Sequence, residues 1–390
     1  MKNKKRILYL HAGAEMYGAD KILLEIVTRL DKSKFEPLVI LPTHGMLEDE
    51  MIRNGINVHI LNYPILRRKF FTPLGCIKYL FKYIKYGHKL SRFVKSHNID
   101  LVHVNTSAVL EGIYLKTFLR IPILWHIHEI ILRPKIVYKV TSWLIGRYAD
   151  KIVTVSKATE NRLLQSNSVS KDKIETIYNG IDASRVQFEN KYLLKEKLGI
   201  PADNIIIGMV GRINSWKGQS NFIDAVSKVI EKNNNVHAVL VGGVFEGEEW
   251  RIENIDKLIQ KTKVPEKIHR IGFNSEIGQV YAAMDIFVMP STRPDPFPTV
   301  VLEAMANSLP VIAFNHGGVV EMLPEKSFKD TLVKVGDNEK LAEKINVLVN
   351  DKAKRLSIGE KAKNRQSEKF DERKFVEYFQ SKYNEVLEVK

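Results

Sequence analysis

The chain lacks several features that would assign it to a common class of protein. Its single cysteine, Cys76, excludes an internal disulfide and a cysteine-based metal cluster. No stretch offers about 18 uninterrupted apolar residues, so a membrane-spanning helix is not expected. The apolar run after the basic start, MKNKKRILYLHAG, is too short for a signal peptide and leads into a glycine loop. We therefore expect a globular protein of the reducing cytoplasm.

Acidic residues are scarce relative to basic ones. The 390 residues include 60 Lys and Arg against 45 Asp and Glu, which gives a formal net charge of +15. This excess predicts an anionic partner: nucleic acid, lipid headgroups or phosphorylated ligands. Residues 67–95 hold nine Lys or Arg residues and no acid, and Ile77, Leu80, Phe81 and Ile84 fall there at helical spacing. The segment is either a helix packed on its domain with a solvated basic face or a helix on an anionic membrane surface.

Short β-branched runs alternate with amphipathic stretches along the whole chain, which predicts parallel sheets covered by helices. The length suits two domains. We predict an α/β fold of two Rossmann-like domains that face a central cleft. The domains are residues 1–185 and 186–370, and a C-terminal helix at 371–390 packs back toward the first. The predicted strands are RILYL, EPLVIL, NVHIL, DLVHV, IPILWHI, KIVTVS, NIIIGMV, VHAVLVG, KIHRIG, DIFVMP and LPVIAF.

Ligands of such domains bind beyond the carboxyl ends of the strands, so the loops there are the places to search. HAGAEMYGADK, with Gly13 and Gly18, is not a GxGxxG loop, and GRINSWKG is not a Walker A loop. In the second of these, Arg212 and Lys217 follow a strand. A guanidinium and an ammonium together can bind a diphosphate. The alternative is that this segment is only a solvated basic loop.

The stretch STRPDPFPTVVLEAM combines a rigid turn, two carboxylates and the start of a helix. Pro298 suits the first helical turn, and the amides of Thr299 and Val300 then form an anion site at the positive end of the helix. Glu303 lies in an apolar stretch and needs a partner, for which the two hydroxyls of a ribose would serve. The alternatives are that Asp295 only forms the turn and that Glu303 is a helix-surface residue.

WHIHEI ends a predicted strand, so His126 and His128 point to the same side of it. They are half of a metal site, hydrogen-bonding histidines at the cleft, or ordinary core histidines. No third or fourth ligand lies at a spacing typical of metal sites, so the sequence predicts no metal site here.

Taken together, these motifs resemble the retaining glycosyltransferases of family four, group 1, which have the GT-B fold and serve bacterial polysaccharide synthesis. The similarity covers most of residues 5–325 and keeps the motifs in order. They are GADKILLEI, VSKATENRLL, YNGID, GRINSWKG, RIGFNSEIGQVYAAMDIFVMPS and DPFPTVVLEAMA.

The resemblance implies a role for each candidate residue. The diphosphate would be held by Arg212 and Lys217, the ribose by Glu303, and the transferred sugar by Asp295. His128 would reach the sugar or the reaction centre. The resemblance implies that the catalytic residues are His128, Asp295, Arg212 and Lys217. The remaining donor-binding residues would be Gly18 over the diphosphate, Phe273 at the base, Phe297 in the turn, and the amides of Thr299 and Val300.

The chain departs from the family pattern in ways that bear on the substrate. Asp295 stands where the family has glutamate, and Pro298 stands where glycine is common. No Asp-x-Asp motif is evident at the site, so the resemblance implies a metal-independent hexosyl- or deoxyhexosyltransferase without a cofactor.

The implied donor is a UDP-sugar, with GDP- and dTDP-sugars as alternatives. The implied acceptor is a saccharide or a lipid-linked saccharide, used in capsule-type polysaccharide synthesis by a cytoplasmic protein at the inner face of the plasma membrane. A sugar-nucleotide epimerase of the same fold and a basic nucleic-acid-binding protein are the rival functions, although the chain has no recognisable nucleic-acid motif.

Overall fold

The computed structural model of the protein describes residues 4–388. The chain forms two compact units: one runs up to Gly180 and takes in the segment from Glu372 onward, and the other is Ile181–Asp371. The sequence placed these divisions after residues 185 and 370. The first division comes earlier in the structure because Ile181 already belongs to the second unit, where it pairs with Asp371 in an isolated β-bridge.

The first unit is built on a seven-stranded sheet in which every strand pair is parallel. Its strands are β1 (Lys5–Leu10), β2 (Phe35–Leu41), β3 (Asn57–Ile60), β4 (Leu101–Val104), β5 (Ile123–Ile127), β6 (Lys151–Thr154) and β7 (Ile174–Thr176). The order is β3-β2-β1-β4-β5-β6-β7. The direction of winding reverses between β1 and β4, so the loops after these two strands are neighbours at the carboxyl edge.

Helices cover both faces of this sheet. They are α1 (Gly18–Arg29), α2 (Met46–Arg53), α3 (Pro73–Ser96), α4 (Glu111–Leu119), α5 (Lys135–Tyr148) and α6 (Lys157–Leu164). The C-terminal helix Glu372–Glu388 belongs to this unit and packs with α1 and α2 on one face, and α3 to α6 pack on the other. The last helix is tied to the sheet by Tyr383, whose hydroxyl accepts a hydrogen bond from Tyr9 over 2.9 Å.

The second unit has six parallel strands in the order β10-β9-β8-β11-β12-β13. They are β8 (Ile205–Val210), β9 (Val236–Val241), β10 (Ile268–Ile271), β11 (Ile286–Met289), β12 (Val311–Phe314) and β13 (Leu332–Val333). Here the winding reverses between β8 and β11. The loops after β8 and β11 therefore meet at the carboxyl edge of the sheet.

The helices of the second unit continue the numbering, with the C-terminal helix as α16. They are α7 (Leu193–Lys197), α8 (Gln219–Ile230), α9 (Trp250–Gln260), α10 (Ile277–Ala283), α11 (Thr299–Ala306), α12 (Val319–Met322), α13 (Glu325–Phe328), α14 (Asn338–Asn350) and α15 (Lys352–Lys369). Helix α16 (Glu372–Glu388) belongs to the first unit. One core joins α8, α9 and α14 to the sheet. α11 packs on β11 and β12, with α15 against it.

All the predicted strands are present, and the prediction of parallel α/β units is confirmed. β7 and β13 were missed because they have three and two residues, too few to show a period of apolar residues. Among residues 4–388, no helix combines the length and the apolarity needed to cross a bilayer.

Candidate functional site

The second sheet brings a lysine and a carboxylate together at its switch point. Lys217 is in the loop after β8 and Asp295 in the loop after β11. The Lys217 ammonium donates a hydrogen bond to Oδ2 of Asp295, whose side chain is only 9% exposed. The same ammonium lies 4.7 Å from the ring centre of Trp216. Two residues predicted from separate motifs therefore form one charged cluster.

Gly218 holds the Lys217 loop against the end of β11. Its φ is +86°, which favours glycine, and a Cβ there would lie 1.8 Å from the carbonyl oxygen of Pro290. The close approach lets the Thr292 N–H donate to the carbonyl oxygen of Trp216 over 2.7 Å. Lys217 therefore extends from a turn that is pinned to the neighbouring strand.

Arg212 lies over an aromatic ring. Its guanidinium carbon is 3.6 Å from the ring centre of Phe245, which follows β9. Its backbone is held by α8, because Nε2 of Gln219 donates to the Arg212 carbonyl oxygen over 2.9 Å. Stacking of this kind fixes the plane of the guanidinium. Phe245 was missed because it is distant in sequence and no motif marks it.

The proline turn leads into the predicted helix one residue later than expected. α11 begins at Thr299, and Pro298 is the extended residue before it, with ψ of 114°, and not its first helical residue. Thr299 and Val300 are thus the first two helical residues, and their amides lie at the positive end of the helix dipole. The loop after β12 supports the turn, because the Gly318 N–H donates to the Asp295 carbonyl oxygen over 2.8 Å.

Glu303 is in the second turn of α11 and is only 2% exposed, which excludes the helix-surface alternative. The hydroxyl of Tyr281 in α10 donates to its Oε2 over 2.8 Å. Burial, together with the neighbouring Glu303 carboxylate, raises the pKa of the Tyr281 hydroxyl well above its ordinary value of 10. Tyr281 therefore stays a donor and orients the carboxylate. The sequence indicated that Glu303 needed a partner but did not identify it.

The two predicted aromatic residues differ in accessibility. Phe297 is buried, and its ring centre lies 5.4 Å from that of Phe370. The Phe297 ring therefore packs inside the second unit, and the predicted contact of this residue with the donor stays a prediction. Phe273, after β10, is 50% exposed.

A second polar cluster lies at the switch point of the first sheet. His11 follows β1, Asn105 follows β4 and His128 follows β5. Nε2 of His11 is 2.6 Å from Oδ1 of Asp20, and Nδ1 of His11 is 3.1 Å from Nδ2 of Asn105. Oδ1 of Asn105 is 3.1 Å from Nε2 of His128. The glycine loop joins this cluster, since Gly18 is the first residue of α1, the helix that carries Asp20.

His126 and His128 lie side by side, with ring centres 4.0 Å apart, as strand alternation predicted. Burial, with neighbouring histidines, lowers the pKa of both imidazoles well below 6.5. Both are therefore neutral near pH 7. Across residues 4–388, no three His, Cys, Asp or Glu side chains form a group that could hold a metal ion, so nothing there completes this pair into a metal site.

The predicted residues thus divide between two clusters. Gly18 and His128 belong to the first unit, and all the others belong to the second. Within the second unit, the structure brings together Lys217, the Asp295 turn and the start of α11, and Arg212 extends from the same loop as Lys217. This set combines positive charge, fixed amides and two carboxylates, which suits a ligand with a diphosphate and hydroxyl groups.

Known proteins show similarity over most of the chain. The Anabaena protein HepE, in a crystal structure with UDP and glucose, superposes with a TM-score of 0.83 at 26% identity, over 97% of this chain and 99% of that one. This likeness confirms the predicted GT-B fold class. A glycosyltransferase from Rickettsia africae has a TM-score of 0.84 at 23% identity and covers 99% of both chains.

Several sequence relatives are glycosyltransferases as well. The capsular polysaccharide biosynthesis glycosyltransferase CapM of Staphylococcus aureus is 31% identical over 245 residues, which are 61% of this chain and 62% of CapM. Several curated relatives match over only 44% to 64% of their own length. The Escherichia coli UDP-Gal:alpha-D-GlcNAc-diphosphoundecaprenol alpha-1,3-galactosyltransferase is 24% identical over 87% of this chain and 90% of its own length.

Two family models divide the chain between them. The model described as Glycosyltransferase Family 4 matches residues 16–185, and the model described as Glycosyl transferases group 1 matches residues 190–365. The matched ranges meet near the division between the two structural units. The chain belongs to the group 1 glycosyltransferases of family 4.

Proposed function

We propose that the chain transfers a hexosyl or deoxyhexosyl group from a nucleotide-diphosphate donor to a saccharide or lipid-linked saccharide, with retention, in cell-surface polysaccharide synthesis. The observation that carries this proposal is the cluster of Lys217 and Asp295 at the β8–β11 switch point, directly before the start of α11. Arg212 extends from the same loop as Lys217. HepE, which binds UDP and glucose in its crystal structure, supports a UDP-sugar as the donor.

The proposed chemistry depends on stabilising the leaving group. Negative charge grows on the β-phosphate as its bond to the anomeric carbon breaks. The Lys217 ammonium, the Arg212 guanidinium and the amides at the start of α11 are already oriented, so they stabilise that charge without reorganising. Lys217 has three donors, so it can keep its hydrogen bond to Asp295 while it binds phosphate.

Asp295 has a positioning role in this mechanism. Its Oδ2 is engaged by Lys217 and its side chain is mostly buried, so we assign it to contact with the transferred sugar and not to a covalent bond with it. The leaving phosphate takes the proton of the acceptor hydroxyl, and the new bond forms on the face from which the nucleotide departs. We propose that this chemistry uses neither a metal nor a cofactor, because fixed cations and amides neutralise the diphosphate.

The donor and the stereochemistry can be tested together. Thermal shift with UDP-, GDP- and dTDP-sugars should select one donor, and NMR of the product should show the anomeric configuration of that donor. Lys217→Ala should lose turnover, whereas Lys257→Ala, an exposed lysine of α9, should not. Conversion of the donor sugar without an acceptor would identify an epimerase, and an inverted product would contradict retention.

We further propose that the first unit works at the anionic cytoplasmic face of the plasma membrane. The support comes from the outer face of α3. Leu74, Ile77, Leu80, Phe81 and Ile84 are each more than half exposed. The helix packs on the sheet through its other face, where Leu90 and Val94 enter the core. The apolar spacing seen in the sequence therefore belongs to the solvent face and not to the packing face.

Helix α5, which packs on the other side of α4, repeats this arrangement. Ile136, Val140 and Trp143 are exposed and are spaced by four and three residues, so they share one face. Residues 130–149 contain four Lys or Arg residues and no acid. Both helices pack on the same face of the first sheet. Basic helices with an exposed apolar stripe match an anionic lipid surface in charge and in hydrophobicity.

The membrane proposal has a charge-matched test. Each Lys near an anionic leaflet contributes about 1 kcal/mol, so reversing Lys78, Lys82 and Lys85 should weaken liposome binding by about 100-fold or more. The control reverses three exposed lysines of the second unit: Lys257, Lys261 and Lys363. Transfer to a lipid-linked acceptor should fall with the first variant and transfer to a short soluble acceptor much less. Equal binding to neutral and anionic vesicles, or none to either, would contradict the proposal.

A further inference from the structure

A continuous line of hydrogen bonds joins Asp20 to His128 in the first unit. Asp20 Oδ1 lies 2.6 Å from Nε2 of His11, and Nδ1 of His11 lies 3.1 Å from Nδ2 of Asn105. Oδ1 of Asn105 lies 3.1 Å from Nε2 of His128 and 3.1 Å from Nδ1 of His126. We call these five residues the histidine relay. It runs through the loops after β1, β4 and β5, through the end of β5 itself and through α1.

The hydrogen bonds of the histidine relay all point in one direction, because its first member, Asp20, can only accept a hydrogen bond. An ionised carboxylate has no proton to give, so Nε2 of His11 must donate to Asp20. The Asn105 amide nitrogen, Nδ2, faces Nδ1 of His11 over 3.1 Å and can only donate, so Nδ1 of His11 accepts that hydrogen bond. The oxygen of that amide therefore faces His126 and His128, and Nε2 of His128 must carry the hydrogen.

The other end of the relay favours the same direction independently. Nε2 of His126 is buried and has no hydrogen-bond partner among residues 4–388. If the relay ran backwards, Nδ1 of His126 would accept and its Nε2 would carry a buried hydrogen without an acceptor. A buried donor without a partner costs more free energy than a buried acceptor with an unused lone pair. His126 is therefore better placed as a donor to Asn105 through Nδ1.

We propose that Asp20 is a positioning residue which, through His11 and Asn105, holds His128 with its hydrogen on Nε2 and its lone pair on Nδ1. Among residues 4–388, Nδ1 of His128 has no hydrogen-bond partner, so the lone pair is available to a hydroxyl group of a sugar or acceptor. The use of that lone pair in the reaction rests on the proposed function. The tautomer itself does not.

The two hydrogen bonds that Asp20 accepts explain why this position needs a carboxylate. Its Oδ2 accepts the backbone N–H of Tyr17 over 2.8 Å, and its Oδ1 accepts from His11. Asparagine can satisfy only one of these donors with its single oxygen. The Tyr17 N–H cannot change direction, so Asp20→Asn would turn its NH₂ toward His11 and oppose the normal direction of the relay.

The experiment measures the tautomer directly. Protein labelled with ¹⁵N in histidine is observed by long-range ¹H–¹⁵N correlation at neutral pH, and the His128 signals are assigned with His128→Gln. We expect His128 in the wild-type protein to carry its hydrogen on Nε2. Asp20→Asn should populate the Nδ1–H form of His128, and the control Asp31→Asn, on the surface of the same unit, should not.

Each outcome bears on the proposal. A wild-type His128 with its hydrogen on Nδ1 would overturn it, and so would an unchanged tautomer in folded Asp20→Asn. If the tautomer changes, kcat should fall by up to about 100-fold, the lower range for a lost acid–base partner, with a smaller change in the KM for donor. A loss of turnover without a tautomer change would make Asp20 merely structural. A tautomer change with full turnover would support the relay and would count against the role of His128 in the proposed function.

Discussion

Glu111 gives the first unit a pH-dependent stability that one substitution should remove. It begins α4 and is fully buried, and no other side chain among residues 4–388 donates a hydrogen bond to either of its carboxyl oxygens. Burial raises the pKa of this carboxyl group from 4.5 to about 8. The folded protein therefore holds a proton near pH 7 that the unfolded chain has released.

The sign and size of the effect follow from proton linkage. Because the folded pKa is raised, the stability is fully present below pH 4.5 and falls as pH rises toward the folded value of about 8. Each pH unit well inside this window costs about 1.4 kcal/mol, and less near either pKa, so the free energy of unfolding should lose about 3 kcal/mol between pH 5 and pH 8 from this group. Glu111→Gln keeps the shape and abolishes the titration. Relative to wild type, it should gain about 3 kcal/mol of stability over that interval.

The assay is urea unfolding of both proteins at pH 5 and pH 8. The fluorescence of Trp125, fully buried in the same unit, and circular dichroism follow the transition. The measured quantity is how the stability difference between Glu111→Gln and wild type changes from pH 5 to pH 8. This change contains neither the pH-independent cost of the amide nor the titration of other groups, which both proteins share. Glu253→Gln, an exposed glutamate in the first turn of α9, is the matched control and should show no such gain. The same difference in stability at both pH values would show that Glu111 is ionised in the folded protein and would refute the reasoning.

Three further predictions concern the second unit. Arg212→Ala and Lys217→Ala should each lower kcat by about 100- to 1,000-fold, as for loss of one transition-state donor, and near-normal turnover in both would place the site elsewhere. Chelator should leave transfer intact, and a strict, reversible need for a divalent metal would contradict this. Gly218→Ala should weaken donor binding measured by calorimetry, because its Cβ would collide with the Pro290 carbonyl oxygen at 1.8 Å. Unchanged affinity would show that this turn does not position Lys217.

The sequence predicted the architecture and the location of the second-unit cluster. Apolar runs bounded by turns are a local signal, and the winding of parallel sheets then decides which loops meet. Lys217 and Asp295 are distant in sequence, yet both follow strands that become neighbours at a reversal of strand order. Predicting that both loops follow strands was therefore enough to bring them to one edge.

Contacts between side chains on different elements were not predictable in the same way. Phe245 under Arg212, and Asp20 beside His11, belong to no recognisable spacing. Periodicity also cannot tell which face of an amphipathic helix is the inner one. In α3 the aliphatic spacing centred on Ile77 and Ile84 faces outward, since the inner face is supplied by other residues of the helix.

The contact between Tyr281 and Glu303 leads to a test of what Glu303 binds. If Glu303 accepts the ribose hydroxyls, removing one hydroxyl from UDP should weaken binding to the wild-type protein but not further weaken binding to Glu303→Ala. Tyr281→Phe keeps the ring, which packs 5.9 Å from Phe287, and removes the hydroxyl that donates to Oε2 over 2.8 Å and to the Val300 carbonyl oxygen over 3.3 Å.

Loss of a hydrogen bond to a charged group costs about 1.5–3 kcal/mol, so Tyr281→Phe should weaken UDP binding by roughly 10- to 100-fold if that bond orients Glu303 for the ribose. Calorimetry with UDP and 2′-deoxy-UDP on the three proteins completes the cycle. The coupling between the hydroxyl and Glu303 is the quantity that decides. An equal penalty for the missing hydroxyl in wild type and in Glu303→Ala would show that Glu303 holds α10 to α11 and does not contact the ribose.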